Sequence, residues 1–587
     1  MDSSTNSKDM GMFLQDPSLR DENGDYFWGN FAFPLDHEIL MGMGSSKLVI
    51  ADPDFDGLNW GDPNQLLTFE NFNSRPLERP IVDNPQFHQV NTFAVAAQTL
   101  LSFEGHLGRE VAWKHGGPLQ ILPHGFQEAN AYYDGSDPKL SFGFFNSPLR
   151  RGTVWTCLSH DIVAHELGHA ILDSFRPSFL YSGETDTPAI HESLADLLAL
   201  FTSLEHPKIV ERLFRESDGD MTRPSVISYL AEEFGIGLGG SGAPYLRSAL
   251  NGPSYAGADF EPHARSTVWT AAVYEIVCEV VELMLQSGSG QPQGFSDQFS
   301  QAVVLATRWV KGMLIKALHC MPPTGIMMPV LAKLMVEMDH ELFPEDSRFR
   351  EIAQRVFDKR GLWWNDITFQ APGIGPKLQD FDQLSPSQQI RLLYDHATEL
   401  HIPLREDCQI LTPKLVTVTR KLDPSLEGKV AGNVRSVTER YLQYSYAIVT
   451  TKSLGSFGSG QFARFETRQG GTLVMDENWN DRKLVNDPVV YHDDFSGNGD
   501  REPCVPSLQR ALERFQKLNR VSFKNARLRH QITDDDLTIV GSSGHPFSVT
   551  RASSRDPFRV VWGRCNLADH IRGVGHTGKD CSFFSEV

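Results

Sequence analysis

The sequence predicts a mixed α+β protein of two or three domains, and three observations carry that prediction. From about residue 158 to 362, apolar positions recur at intervals of three and four, the mark of helices. Just ahead of them, Leu119 to Phe145 alternates short apolar runs with Asp134-Gly135 and Pro138, which reads as strands joined by tight turns. After about residue 388, the runs VTVTR, YAIVTT and GTLVMD suggest strands again. A chain of 587 residues is long enough to bury at least two sizeable cores.

Taken in order, residues 1–84 are rich in Asp, Asn, Gly and Pro and read as an irregular arm or small cap. Val90 to Leu107 is a helix, because its apolar spacing mixes three and four and stops ahead of a Gly. Further helices are expected over Asp161 to Ser174, His191 to Leu204, Ser266 to Leu285, Asp297 to Leu318, Pro329 to Glu341 and Asp346 to Lys359. Several are apolar nearly all round and should pack centrally. Residues 85–362 therefore make one domain. Residues 363–388, with Asp, Pro and Gly scattered through them, read as a linker. Residues 389–587 read as an additional C-terminal α+β domain of unknown function, with a helix over Pro506 to Phe523.

Charge and composition narrow the partners. Against 74 acidic side chains stand 54 Lys and Arg, a net charge of −20, so neither nucleic acid nor an anionic membrane is an expected partner. The first residues hold no basic start followed by an apolar stretch, and no run approaches the roughly 20 apolar residues of a membrane helix. A cytoplasmic protein is expected, with export by a route lacking a signal left open. The seven cysteines are odd in number and scattered, which suits reduced thiols; none has CxxC spacing, so a cysteine-type zinc site is not expected.

The chemistry is concentrated in His165-Glu166-Leu167-Gly168-His169. A spacing of four puts both imidazoles on one face of a helix, about 6 Å apart, where one ion can be gripped by both. Glu166 lies on the same turn and can act as a general base toward water. Glu192 follows 23 positions after His169 on a second predicted helix, a loop length that lets this helix fold back across the first. It would supply the third ligand, and Asp196, one turn on, could orient a ligand imidazole. A solvated acidic helix start would also place acids here. That alternative leaves unexplained why both share a face with His191 and Ala195.

His-Glu-x-x-His followed by Glu-x-x-x-Asp resembles the thermolysin-like zinc metallopeptidases, and the resemblance covers roughly residues 85–362 in order. It implies a zincin core, with a mixed sheet and helix lobe, a helical lobe and a cleft between them. Asn130 to Gly135 resembles the family's edge strand, which implies that Asn130 and Ala131 align substrate. Tyr181 and His263 match the transition-state tyrosine and the catalytic histidine, and Arg247 the substrate-binding arginine. Ile162 and Leu246 match the lining of an apolar pocket after the scissile bond. Val356 to Leu362 is similar to the family's closing helix. The implied cofactor is one catalytic Zn2+ on His165, His169 and Glu192; the implied substrate is a peptide or protein, with a hydrophobic residue after the cut.

Some features depart from the family pattern. His191 stands where an amide is usual, and could crowd the site or serve as a hydrogen-bond partner. Acidic calcium ligands are not evident around Thr202 to Glu205, which puts calcium binding in doubt. Two rival readings follow: a dedicated peptide or amide hydrolase of a biosynthetic or processing pathway, and a non-catalytic peptidase-like scaffold. Retention of Glu166, Tyr181 and His263 speaks against the scaffold.

Overall fold

The computed structural model describes residues 7–34, 44–52, 82–135, 137–146, 152–177, 179, 186–225, 227, 229–230, 247–250, 252–259, 261–287, 294–343, 345–404, 406, 408–421, 436–453, 462–486, 536–540, 546–551 and 558–562. Over these the chain is α+β, with helices and several separate sheets. Among them no helix is long and apolar enough to cross a membrane. The expected helix over Pro506 to Phe523 lies outside the described residues.

The N-terminal residues pack as part of the main body. Strands β1 (Ser7–Phe13) and β2 (Trp28–Pro34) form an antiparallel pair. The pair is pinned to helix α1 (Pro85–Leu107) where Asn91 Oδ1 accepts from the Phe13 N–H at 2.7 Å. Strand β3 (Leu48–Ile50) runs parallel to β4 (Leu119–Phe126), so the cap expected over residues 1–84 contributes an edge to the first sheet. β4 is parallel to β6 (Lys139–Asn146), and β5 (Ala131–Asp134) turns back antiparallel on β6 as a hairpin. A short strand β7 (Thr153–Trp155) also pairs β6. β5 ends the strand order of this sheet.

Helix α1 begins five residues before its apolar periodicity, because Asn84 accepts from the Gln86 N–H at 2.9 Å and Pro85 occupies the first turn. It stops at Gly108, whose φ of 75° is the left-handed cap conformation. The helices that follow are α2 (His160–Phe175), α3 (Asp186–Ser203), α4 (Pro207–Ser217), α5 (Pro262–Ser287), α6 (Phe295–Cys320), α7 (Met328–Leu342) and α8 (Arg348–Lys359). Buried Arg176, just past α2, donates to the Leu318 and His319 carbonyls at 2.8 Å each, satisfying acceptors that the end of α6 leaves open.

Residues 363–388, read from sequence as a linker, instead help to build a second core. Ile374, Leu378 and Phe381 are buried there with Leu393 of helix α9 (Pro386–Asp395) and Leu400. The strands after it alternate faces with the two-residue period of a sheet. On β10 (Ser436–Ser453) Leu442 joins the second core and Tyr441 the first; on β11 (Phe462–Asp476) the same holds for Leu473 and Val474. β12 (Asp481–Asn486) repeats it with Leu484 and Val485. This sheet is therefore buried on both sides, one against the helical body. Polar ties cross the same boundary: Thr472 Oγ1 donates to the Met321 carbonyl at 2.7 Å, and Lys483 Nζ lies 2.6 Å from Glu341 Oε1.

Candidate metal centre

Glycine at position 168 decides how closely the two helices of the site approach. A Cβ built there would lie 2.8 Å from Ala195 Cα and 3.2 Å from Ala195 Cβ, so α2 and α3 touch backbone to backbone. The contact lies beside His165 and His169 on one helix and Glu192 and Asp196 on the other, and brings all four side chains together. Four ties hold α3 in place. Asp186 at its start pairs with Arg265 Nε at 2.5 Å, accepts from Tyr255 Oη at 2.7 Å, and accepts from the Met328 N–H at 3.0 Å. Ser193 Oγ and Thr270 Oγ1 lie 2.7 Å apart, joining α3 to α5 beside Glu192.

His165, His169 and Glu192 each offer a donor atom within 4.8 Å of the others, and all three are buried. His165 Nε2 is 3.7 Å and His169 Nε2 3.8 Å from Glu192 Oε2. Ligands about 2.0–2.1 Å from a tetrahedral ion stand about 3.4 Å apart, so a small inward shift suffices. The far nitrogen of each ring has its own partner. Asp196 Oδ1 lies 2.9 Å from His165 Nδ1, and His191 Nδ1 lies 2.7 Å from His169 Nδ1 with the rings stacked. Burial lowers the His191 pKa to about 4, keeping it neutral and able to accept the proton on His169 Nδ1. Both imidazoles are thus held in the tautomer that turns the Nε2 lone pair toward Glu192. The donor set of two imidazoles and a carboxylate suits zinc.

Glu166 faces the first sheet: its Oε2 accepts from the Tyr133 N–H of β5 at 2.9 Å. Tyr133 Oη in turn donates to Asp173 Oδ2 at 2.6 Å, and Lys114 pairs with the same carboxylate. Asn130 and Ala131 open β5; the Asn130 side chain accepts from the Ala131 N–H at 2.9 Å, and its carbonyl accepts from Gly143 N–H at 2.8 Å. His263 sits in the first turn of α5 with Nε2 3.5 Å from Glu192 Oε1. Ile162, one turn before Glu166, is buried in the main core. Arg247 belongs to strand β9 (Arg247–Ser248), paired with β8 (Tyr229–Leu230), and nothing further is described of its side chain. Tyr181 and Leu246 lie outside the described residues.

Two features of the site escaped the sequence reading. Glu261 Oε1 is 2.5 Å from His263 Nδ1, and an acid two positions ahead of the histidine was the available signal. Tyr133 acts through its backbone N–H, which no residue type advertises. Around Thr202 to Glu205, Glu205 is ion-paired with Lys311 and accepts from Ser102 Oγ at 2.7 Å. Compared with known proteins, the chain matches no family model and no curated protein.

Proposed function

We propose that the chain is a zinc-dependent endopeptidase of thermolysin-like type, with His165, His169 and Glu192 as the metal ligands and Glu166 as the general base. The observation that carries this reading is the convergence of two oriented imidazoles and one carboxylate, all buried, beside a second carboxylate on the same helix turn. A zinc ion held there by His165, His169 and Glu192 would supply Lewis acidity toward water and a carbonyl oxygen. Glu166, its orientation fixed by the Tyr133 N–H, takes the proton from the attacking water and delivers it to the leaving nitrogen. His263 donates a hydrogen bond to the developing oxyanion, its ring steadied by Glu261. β5 ends its sheet, so an extended peptide can pair along it and present its carbonyl to Glu166.

The test is hydrolysis of a quenched peptide library by the purified chain and by Glu166→Gln, with the zinc content of both determined. Stoichiometric zinc in both proteins and cleavage only by the unsubstituted chain is the expected result. Zinc without cleavage by either would favour a dedicated substrate or a binding scaffold. Absence of zinc from the unsubstituted chain would remove the reading.

A further inference from the structure

A second group of donor atoms converges away from the site above: His88 in the first turn of α1, His124 on β4, and Cys157 in the 3-10 turn Thr156–Leu158 that leads into α2.

 His88 and His124 are separated by 36 positions in the chain, and Cys157 comes later still, so no short motif announces the group. The donor atoms of all three residues lie within 4.8 Å of one another, and His88 and Cys157 are wholly buried.

The surroundings are those of a metal site. His88 Nε2 lies 2.5 Å from the Val82 carbonyl, so this nitrogen carries the proton and Nδ1 the lone pair. His124 Nδ1 lies 2.8 Å from Asp52 Oδ2, which holds a proton on that side of the ring. The two inner nitrogens, His88 Nδ1 and His124 Nε2, then face each other at 2.7 Å, and either a shared proton or a cation must stand between them. Carboxylate and carbonyl partners on the outer nitrogens are the usual support for metal-binding imidazoles. The ring of Trp155 packs against both imidazoles, with centroids 4.8 Å from His88 and 5.4 Å from His124, and closes the group from water. Such burial removes Cys157 from any role as a nucleophile toward a substrate.

We propose that His88 Nδ1, His124 Nε2 and Cys157 Sγ bind a second, structural cation of the zinc class, with Asp52 orienting His124 from outside. Ligand nitrogens at about 2.0–2.1 Å from such an ion stand about 3.4 Å apart, so the imidazole pair must open by well under 1 Å. Binding exchanges protons for the ion: Cys157 loses its thiol proton, any proton shared by the imidazoles leaves with it, both go to solvent, and nothing is oxidised. The ion would clamp the start of α1, strand β4, the segment after β3 and the turn that aims α2. It would fix the helix that carries His165 without touching the catalytic ligands. The absence of CxxC spacing, which argued against a cysteine-type zinc site, is answered by ligands brought together from distant parts of the chain.

The experiment is to express the full chain in cobalt-containing medium and record its near-ultraviolet spectrum, alongside metal analysis of zinc-grown protein. The catalytic site has only nitrogen and oxygen ligands, so a thiolate-to-cobalt charge-transfer band reports this second site alone. Expected are the band and about two ions per chain, falling to no band and about one ion in Cys157→Ser, while Glu192→Gln keeps the band. Should Cys157→Ser fail to fold, His88→Gln takes its place. A cobalt-grown chain without the band, or a band that survives both substitutions, would overturn the proposal. Loss of peptidase activity with the band intact would count against the catalytic reading and leave this one standing.

Discussion

Glu261 Oε1 lies 2.5 Å from Nδ1 of His263, and the far nitrogen of that ring lies 3.5 Å from Glu192 Oε1. The same carboxylate accepts from the Ala264 N–H at 2.8 Å, so Glu261 both caps α5 and fixes the ring at its start. A glutamine keeps the capping oxygen and loses the charge that favours a protonated, donating ring. Glu261→Gln is predicted to lower kcat/KM by about tenfold or more through kcat, with zinc content unchanged. Steady-state kinetics on a cleaved library peptide, with metal analysis, checks this; an unchanged rate would mean that His263 needs no anionic partner.

Asp196 Oδ1 stands 2.9 Å from His165 Nδ1 in a buried setting, where a carboxylate raises the basicity of the nitrogen on the far side of the ring, the one proposed to bind zinc. Asp196→Asn is predicted to weaken zinc binding about 10–100-fold. Competition with a chromophoric chelator measures the change directly. An affinity equal to that of the unsubstituted chain would show that packing alone orients His165.

How much of this was legible in the sequence depended on range. His165, Glu166 and His169 lie within one helical turn, and the spacing itself states their shared face. Glu192 and Asp196 required an inference about how a loop folds back, drawn from its length and then matched by the resemblance. At His191 the sequence left two options open, crowding or hydrogen bonding, and the second is what is found; its ring against His169 depends on the close approach of α2 and α3. Residues 363–388 were read as a linker because Gly and Pro mask Ile374, Leu378 and Phe381, whose short 3-10 turns carry no long periodicity. The cluster of His88, His124 and Cys157 had no local signal, since it is made entirely by tertiary folding.

Gly168→Ala sets two effects against each other. Replacing glycine by alanine inside a helix gains about 1 kcal/mol from propensity. The added Cβ, however, would sit 2.8 Å from Ala195 Cα, which is backbone and cannot swing aside. Overpacking of this kind typically costs about 1–3 kcal/mol, and here it also spreads His165 and His169 away from Glu192. The variant is predicted to be less stable and to hold zinc more weakly. Thermal denaturation of the metal-free proteins isolates the first effect, and a variant more stable than the parent would show that the helices can part without loss.

Asp339 offers a pH-dependent component of stability away from the candidate metal sites. Its carboxylate is buried on α7, with Oδ1 3.2 Å from Trp309 Nε1 and Oδ2 3.1 Å from Arg350 Nη1. Burial outweighs the nearby guanidinium and pushes its pKa up to about 7. In the unfolded chain the group titrates near its ordinary value of about 3.9. The folded state therefore keeps the proton to higher pH than the unfolded state. This component is fully present below about pH 4, is lost progressively as pH rises toward about 7, and is flat above. Asp339→Asn removes the titration, so its stability relative to the parent should rise across that window, by at most about 4 kcal/mol. Arg350 also donates to the Phe343 carbonyl at 2.8 Å, which limits the constant offset from losing its anionic partner. Urea unfolding at a series of pH values compares the two proteins. Parallel stability profiles would mean that Asp339 is ionised throughout and that the ion pair with Arg350 prevails over burial.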